Sequence, residues 1–168
     1  KRLRKMVEET LELSKLESSE AFNKNKKISI SDLVMESWQT LKPLAEKKDI
    51  KINLLIPTKY FISADIENLK RAFINILDNA IRYSPANEEI QIEIFKRDSS
   101  VVMRVRDKGI GLEENEFNDI FSRFYRGDPS RTKFKKSGSG LGLSITKKII
   151  NNNKGFIKAF NHKDGGAI

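Results

Sequence analysis

The chain contains no cysteine. That excludes a disulfide scaffold and any thiolate metal site, and it fits a reducing compartment. No apolar run approaches the roughly 20 residues that span a bilayer, and the opening residues carry no signal-peptide pattern. Internal repeats are lacking. So are helices with consecutive Arg or Lys on one face and aromatic-basic ribonucleoprotein motifs, so nucleic acid is not expected as a partner. The excess of 32 Lys+Arg over 23 Asp+Glu, a formal net charge of +9, is of a kind that marks nucleic acid, an anionic membrane surface or a polyanionic small ligand, but it is scattered, and a generally basic proteome or a nearby membrane explains it equally well. What is present is 168 residues, 38% of them hydrophobic, which suits one domain with a real core and an appended helix. Lys1 falls inside a helical pattern, so the expectation is a cytoplasmic fragment of something longer.

Leu3, Met6, Val7, Leu11, Leu13 and Leu16 give a helical stripe over residues 1–17 that must pack on another helix. Polar residues 18–27 read as a linker, with a boundary near residue 19 and the main domain over 28–168. A short strand at 28–30 should lead into a helix capped by Ser31, with Leu33, Val34, Trp38, Leu41 and Ala45 on its buried face and Pro43 distorting it. Residues 50–56 and 61–64 read as strands. Asp65 should cap a helix whose apolar stripe is Leu69, Phe73, Ile76, Leu77, Ala80 and Ile81. Alternation over 90–95 and 101–106 predicts a hairpin. Phe117, Ile120, Phe121 and Phe124 mark a short helix, 125–139 a mobile loop, Leu141, Ile145 and Ile149 a third core helix, and 156–160 another strand. A further strand is expected to begin at 165–168, where this sequence stops. This order predicts an α/β sandwich, a mixed sheet covered on one face by three helices.

Three features carry chemistry. Asn75 and Asn79 lie one helical turn apart, where Asn is a mediocre helix former. They are either exposed amides or hard oxygen ligands suited to Mg²⁺, which keeps waters and borrows phosphate oxygens. Asp107 follows an alternating strand on its core-facing side, and Gly109 and Gly111 come next. It either closes an Asx turn or accepts from an amino group of a buried ligand. Gly138-Ser139-Gly140-Leu141-Gly142-Leu143 enters a helix, as an anion site or a hinge. It is neither a Walker A loop nor a dinucleotide fingerprint. Together the three ask for a base, phosphates and a metal, which is a nucleotide.

In order and spacing, residues 75–84 resemble the N box of sensor histidine kinases, Asp107-Lys108-Gly109-Ile110-Gly111 their G1 box, Phe121-Ser122-Arg123-Phe124-Tyr125-Arg126 their F box, and 138–143 their G2 box. The resemblance implies a Bergerat-type ATP-binding fold, mostly antiparallel with a mobile ATP lid, and a kinase that moves the ATP γ-phosphate to a histidine for relay to a response-regulator aspartate. It implies that Asp107 accepts the adenine amine, Tyr83 lies against the ring, Asn79 holds Mg²⁺ with help from Asn75, and Arg126 and Arg82 meet phosphates. Gly138, Gly140 and Gly142 would enclose the phosphates. Gly109, Ile110, Gly111, Ser139, Leu141 and Leu143 complete the implied binding set, with Asn75, Asn79 and Arg126 as its catalytic members. Phe121 and Phe124 would be core residues anchoring the lid. Residues 1–19 are similar to the end of the second helix of a dimerisation and phosphotransfer domain, which implies a homodimeric parent, and the resemblance to sensor kinases as a class implies that this parent is anchored in the membrane. The phosphoacceptor is not in this sequence, since the single histidine, His162, sits in a surface turn. Gly165-Gly166-Ala167 resembles a G3 box only loosely. Rival readings are a hydrolysing ATPase coupled to dimer closure and a non-catalytic basic binding module.

Overall fold

The computed structural model describes residues 2–17, 26–127 and 138–168. Most of the expected linker and the 128–137 part of the expected loop lie outside the described residues. Helix α1 (Arg2–Glu17) is followed by β1 (Lys26–Ser29), α2 (Ile30–Glu46), β2 (Lys51–Leu55), β3 (Phe61–Ala64) and α3 (Ile66–Tyr83). Then come β4 (Glu89–Arg97), β5 (Ser100–Arg106), α4 (Glu116–Asp119) and α5 (Gly142–Asn152).

The sheet β2-β4-β5 is mixed: β2 runs parallel to β4, and β4 antiparallel to β5. Ile90, Ile92 and Ile94 are fully buried, and Val105 and Met103 stand opposite Ile92 and Ile94 on the same face. Burying each such side chain contributes about 1.5–3 kcal/mol. Their helical cover is one face each of α2 (Leu33, Val34, Trp38, Leu41, Ala45), α3 (Leu69, Phe73, Leu77, Ile81) and α5 (Ile145, Ile149). Helix α3 packs against both α2 and α5. A two-stranded β1-β3 ladder stands beside this core. The α/β sandwich is therefore the one expected. No described helix is long and apolar enough to cross a membrane.

Five expectations change in detail. Strand β1 begins at Lys26, inside the expected linker. The cap of α2 is Ser29, whose hydroxyl accepts from Asp32 N at 3.3 Å, while Ser31 lies buried in the first turn. The β1-β3 ladder ends at Ser29 opposite Phe61, so the chain is released into a helix two residues earlier than expected. In α3, Ala72 joins the buried face and Ile76 does not. Among the described side chains of α1, Leu13 and Leu16 are the buried ones, and the helix packs against α5, whereas Leu3, Val7 and Leu11 are exposed. Residues 156–160 form no strand. Phe160 instead exchanges two backbone hydrogen bonds with Ile168, and a single bridge joins Asn161 to Ala167.

Candidate nucleotide site

Asp107 directly follows β5, and its backbone N–H donates to Ala167 O at 3.0 Å. Its Oδ1 accepts from Gly109 N at 2.8 Å and from Ala167 N at 3.0 Å. The two readings of this residue are thus not alternatives. One oxygen closes the turn, and the other accepts no hydrogen bond among the described residues. Burial pushes the carboxyl above its usual range, against the pull of the two N–H donors. Gly166, at φ +82°, is required here because a Cβ would collide with the Asp107 carbonyl. The G3-like Gly166-Ala167 pair therefore orients Asp107, a role that sequence reasoning missed because the pairing spans 60 residues.

The glycine at 109 serves close approach. A Cβ there would lie 2.9 Å from Tyr83 O, so the G1 turn rests on the end of α3. Asn161 braces the same turn from outside, accepting from Leu112 N at 2.7 Å and donating to Leu112 O at 2.6 Å. Nothing in the spacing of Asn161 announces this. Ile110 is exposed beside it.

On α3, the Asn75 side chain does not stand free. Its Nδ2 donates to Gly142 O at 3.1 Å and to Thr146 Oγ1 at 3.4 Å, which ties α3 to the start of α5. Asn79, one turn on, makes no side-chain hydrogen bond among the described residues. Arg82 Nε donates to Asp78 Oδ2 at 2.6 Å. Tyr83 is exposed at the helix end, not buried in the core.

At the far side, Glu116 is a buried carboxylate that accepts from Glu113 N at 2.8 Å and from Tyr125 Oη at 2.7 Å. Burial first, then the hydrogen bond to that carboxylate, pushes the Tyr125 phenol up to about 12. Phe121 is buried as expected, with Lys147 Nζ 5.6 Å from its ring centre. Phe124 departs from the expectation. It is exposed and adopts φ +61°, because the backbone turns there to meet Gly140. A Cβ on Gly140, itself at φ +79°, would lie 2.8 Å from Phe124 C and 2.9 Å from Tyr125 O. Arg126 follows directly, partly exposed. Leu141 is a core side chain, and its N–H donates to Ser139 Oγ at 3.2 Å. Only its backbone is on the site side. Gly142, Leu143 and Ser144 open α5, where a helix leaves its N–H groups without partners.

Three contacts therefore join four separate segments of sequence: Tyr83 against Gly109, Asn75 against Gly142, and Phe124-Tyr125 against Gly140. The result is one surface with a carboxylate at one end, amides in the middle, and a glycine-bearing helix start at the other. Such a surface can hold an amino-bearing base and its phosphates. The donor set also fits a hard cation, because the Asn79 amide is uncommitted and phosphate oxygens would share the coordination.

The family model for histidine kinase-, DNA gyrase B- and HSP90-like ATPases matches residues 64–168. Sensor protein SphS of Synechococcus elongatus is 34% identical over 99% of this chain, which covers 42% of that protein. Two structures of the histidine kinase ThkA align as well. Its nucleotide-free catalytic domain is 26% identical with a TM-score of 0.74, over 85% of this chain and 91% of that one. ThkA in complex with the response regulator TrrA is 25% identical with a TM-score of 0.79, over 99% of this chain and 45% of that one. The chain spans less than half the length of the curated relatives it matches.

Proposed function

Because this chain belongs to the histidine kinase-, DNA gyrase B- and HSP90-like ATPase family, we propose that it is the ATP-binding catalytic domain of a sensor histidine kinase. Phosphoryl transfer needs little covalent help from a protein and depends on positioning and charge neutralisation. Asp107 Oδ2 would accept the adenine amine while Oδ1 stays committed to the turn. Tyr83 would lie along the ring. Asn79 would hold Mg²⁺, which supplies charge neutralisation on the phosphates when bound. The N–H groups that open α5, with Arg126, would take the phosphate oxygens. Arg82 is held to Asp78 and would contribute from its exposed edge.

The observation that carries this reading is the commitment of Asn75. Its amide is used in bracing α5, and a carboxamide has no basic site at neutral pH. The position is therefore unsuited to activating water, which favours an imidazole acceptor over hydrolysis. That acceptor would lie on a dimerisation domain to which α1 belongs, in a homodimeric, membrane-anchored parent that passes the phosphoryl group to a response regulator. The test is to mix the domain and Mg·ATP with a separate histidine-bearing dimerisation domain and measure acid-labile phosphohistidine. Free phosphate release without phosphohistidine, the partner being folded, would favour the hydrolysing ATPase.

A further inference from the structure

The last carbonyls of a helix have no intrahelical partner, and α3 ends where the candidate site begins. Lys48, in the turn after α2, resolves this. Its Nζ donates to Ile81 O at 2.9 Å, Arg82 O at 2.9 Å and Ser84 O at 2.7 Å. Two of these carbonyls flank Tyr83 in sequence. The remaining one, Tyr83 O, faces Gly109 so closely that a Cβ there would lie 2.9 Å away. Gly109 N in turn donates to Asp107 Oδ1. The turn that carries Lys48 is itself fixed, since Lys48 N donates to Ala45 O at 3.0 Å and Lys48 O accepts from Asn87 N at 2.8 Å.

We infer that Lys48 is a positioning residue for base selection: by pinning the carbonyls on both sides of Tyr83, it sets the seat of the Gly109 turn and thereby the aim of the Asp107 carboxylate. The inference rests on the nucleotide reading of the site. An ammonium serves better than another donor would, because one compact charge reaches three carbonyls and favours the negative end of the helix dipole. The same desolvation, with Arg82 nearby, holds the Lys48 amine below its usual range, so the ammonium is placed at some cost. Residues 48 and 81–84 are too far apart in sequence for periodicity to connect them, and Lys48 is otherwise one of 32 basic residues.

The test compares ADP with an ADP analogue lacking the exocyclic amine, by calorimetry well below the melting temperature, in the wild type and Lys48→Met. The wild type should prefer ADP. In Lys48→Met that preference should shrink by on the order of tenfold, the scale of one hydrogen bond to a charged group, while affinity for the analogue changes little. A purely structural lysine would lower the melting temperature and leave the ratio intact, and that result overturns the inference alone. If the wild type binds neither nucleotide, the nucleotide reading fails and the inference with it. Should Lys48→Met not fold, Lys48→Gln, which keeps donors but loses charge and reach, is measured with the same two outcomes.

Discussion

Replacing Asp107 by Asn separates the two oxygens of one carboxylate. Oδ1 accepts from Gly109 N and Ala167 N, and an amide oxygen can accept both bonds equally well. Oδ2, the proposed adenine acceptor, becomes an NH₂ group facing an NH₂ group. The loss of one hydrogen bond to a charged acceptor is about 1.5–3 kcal/mol, or roughly 10- to 150-fold in affinity. Stability should move the other way. Burial raises the Asp107 pKa above its unfolded value near 3.8, so the folded state binds more protons between those two values. Its contribution is then fully present below 3.8, lost as pH rises through the folded pKa, and adverse at neutral pH. Asp107→Asn should accordingly melt no lower than the wild type at pH 7 and bind ADP at least tenfold more weakly. Adenosine, which has no titrating phosphate, should lose affinity for the wild type on acidification, beginning above the ordinary aspartate range, and show no such fall with the variant. Paired thermal melts and calorimetric titrations across pH 4–8 read both effects. A variant that melts well below the wild type yet keeps full ADP affinity would refute the division of labour between the oxygens.

Asn79→Ala should abolish binding of Mg·ATP with little change in melting temperature, since Asn79 makes no side-chain hydrogen bond among the described residues; undiminished calorimetric affinity would remove it from the metal site. Tyr125→Phe leaves the buried Glu116 carboxylate short of one partner, and should cost about 1–3 kcal/mol in denaturant unfolding together with ATP affinity, because Arg126 is the next residue. An unchanged unfolding midpoint would show that the Glu116 clamp does not hold this segment. Leu77→Ala, at a fully buried position in the middle of α3, should destabilise the domain by about 2–5 kcal/mol, and equilibrium unfolding that shifts by less would contradict the packing described.

The sequence alone determined whatever depends on neighbours a few residues away. The apolar period of α3, its cap at Asp65, the β4-β5 hairpin and the order of the four boxes all follow from spacing, because helix and strand periods are local geometry. It also supplied the chemistry of Asn75, Asn79 and Asp107, since residue type fixes what a side chain can donate or accept. What it left open was decided by partners distant along the chain. Ser31 was the expected cap of α2, and the pairing of β1 with β3, which ends at Ser29, put Ser29 in that place instead. Asp107 could close a turn or face a ligand, and the arrival of Ala167 N on the same oxygen that closes the turn leaves Oδ2 for the proposed ligand. Asn75 was expected to help at the metal; its Nδ2 donates to Gly142 O, 67 residues on, which no spacing announces and which leaves the amide oxygen to the proposed role. Lys48 was one charge among many until the fold carried it to three carbonyls 33 to 36 residues away. Such contacts have no period to read, because a hydrogen bond is set by position in space, and position in space is what packing of the whole core provides.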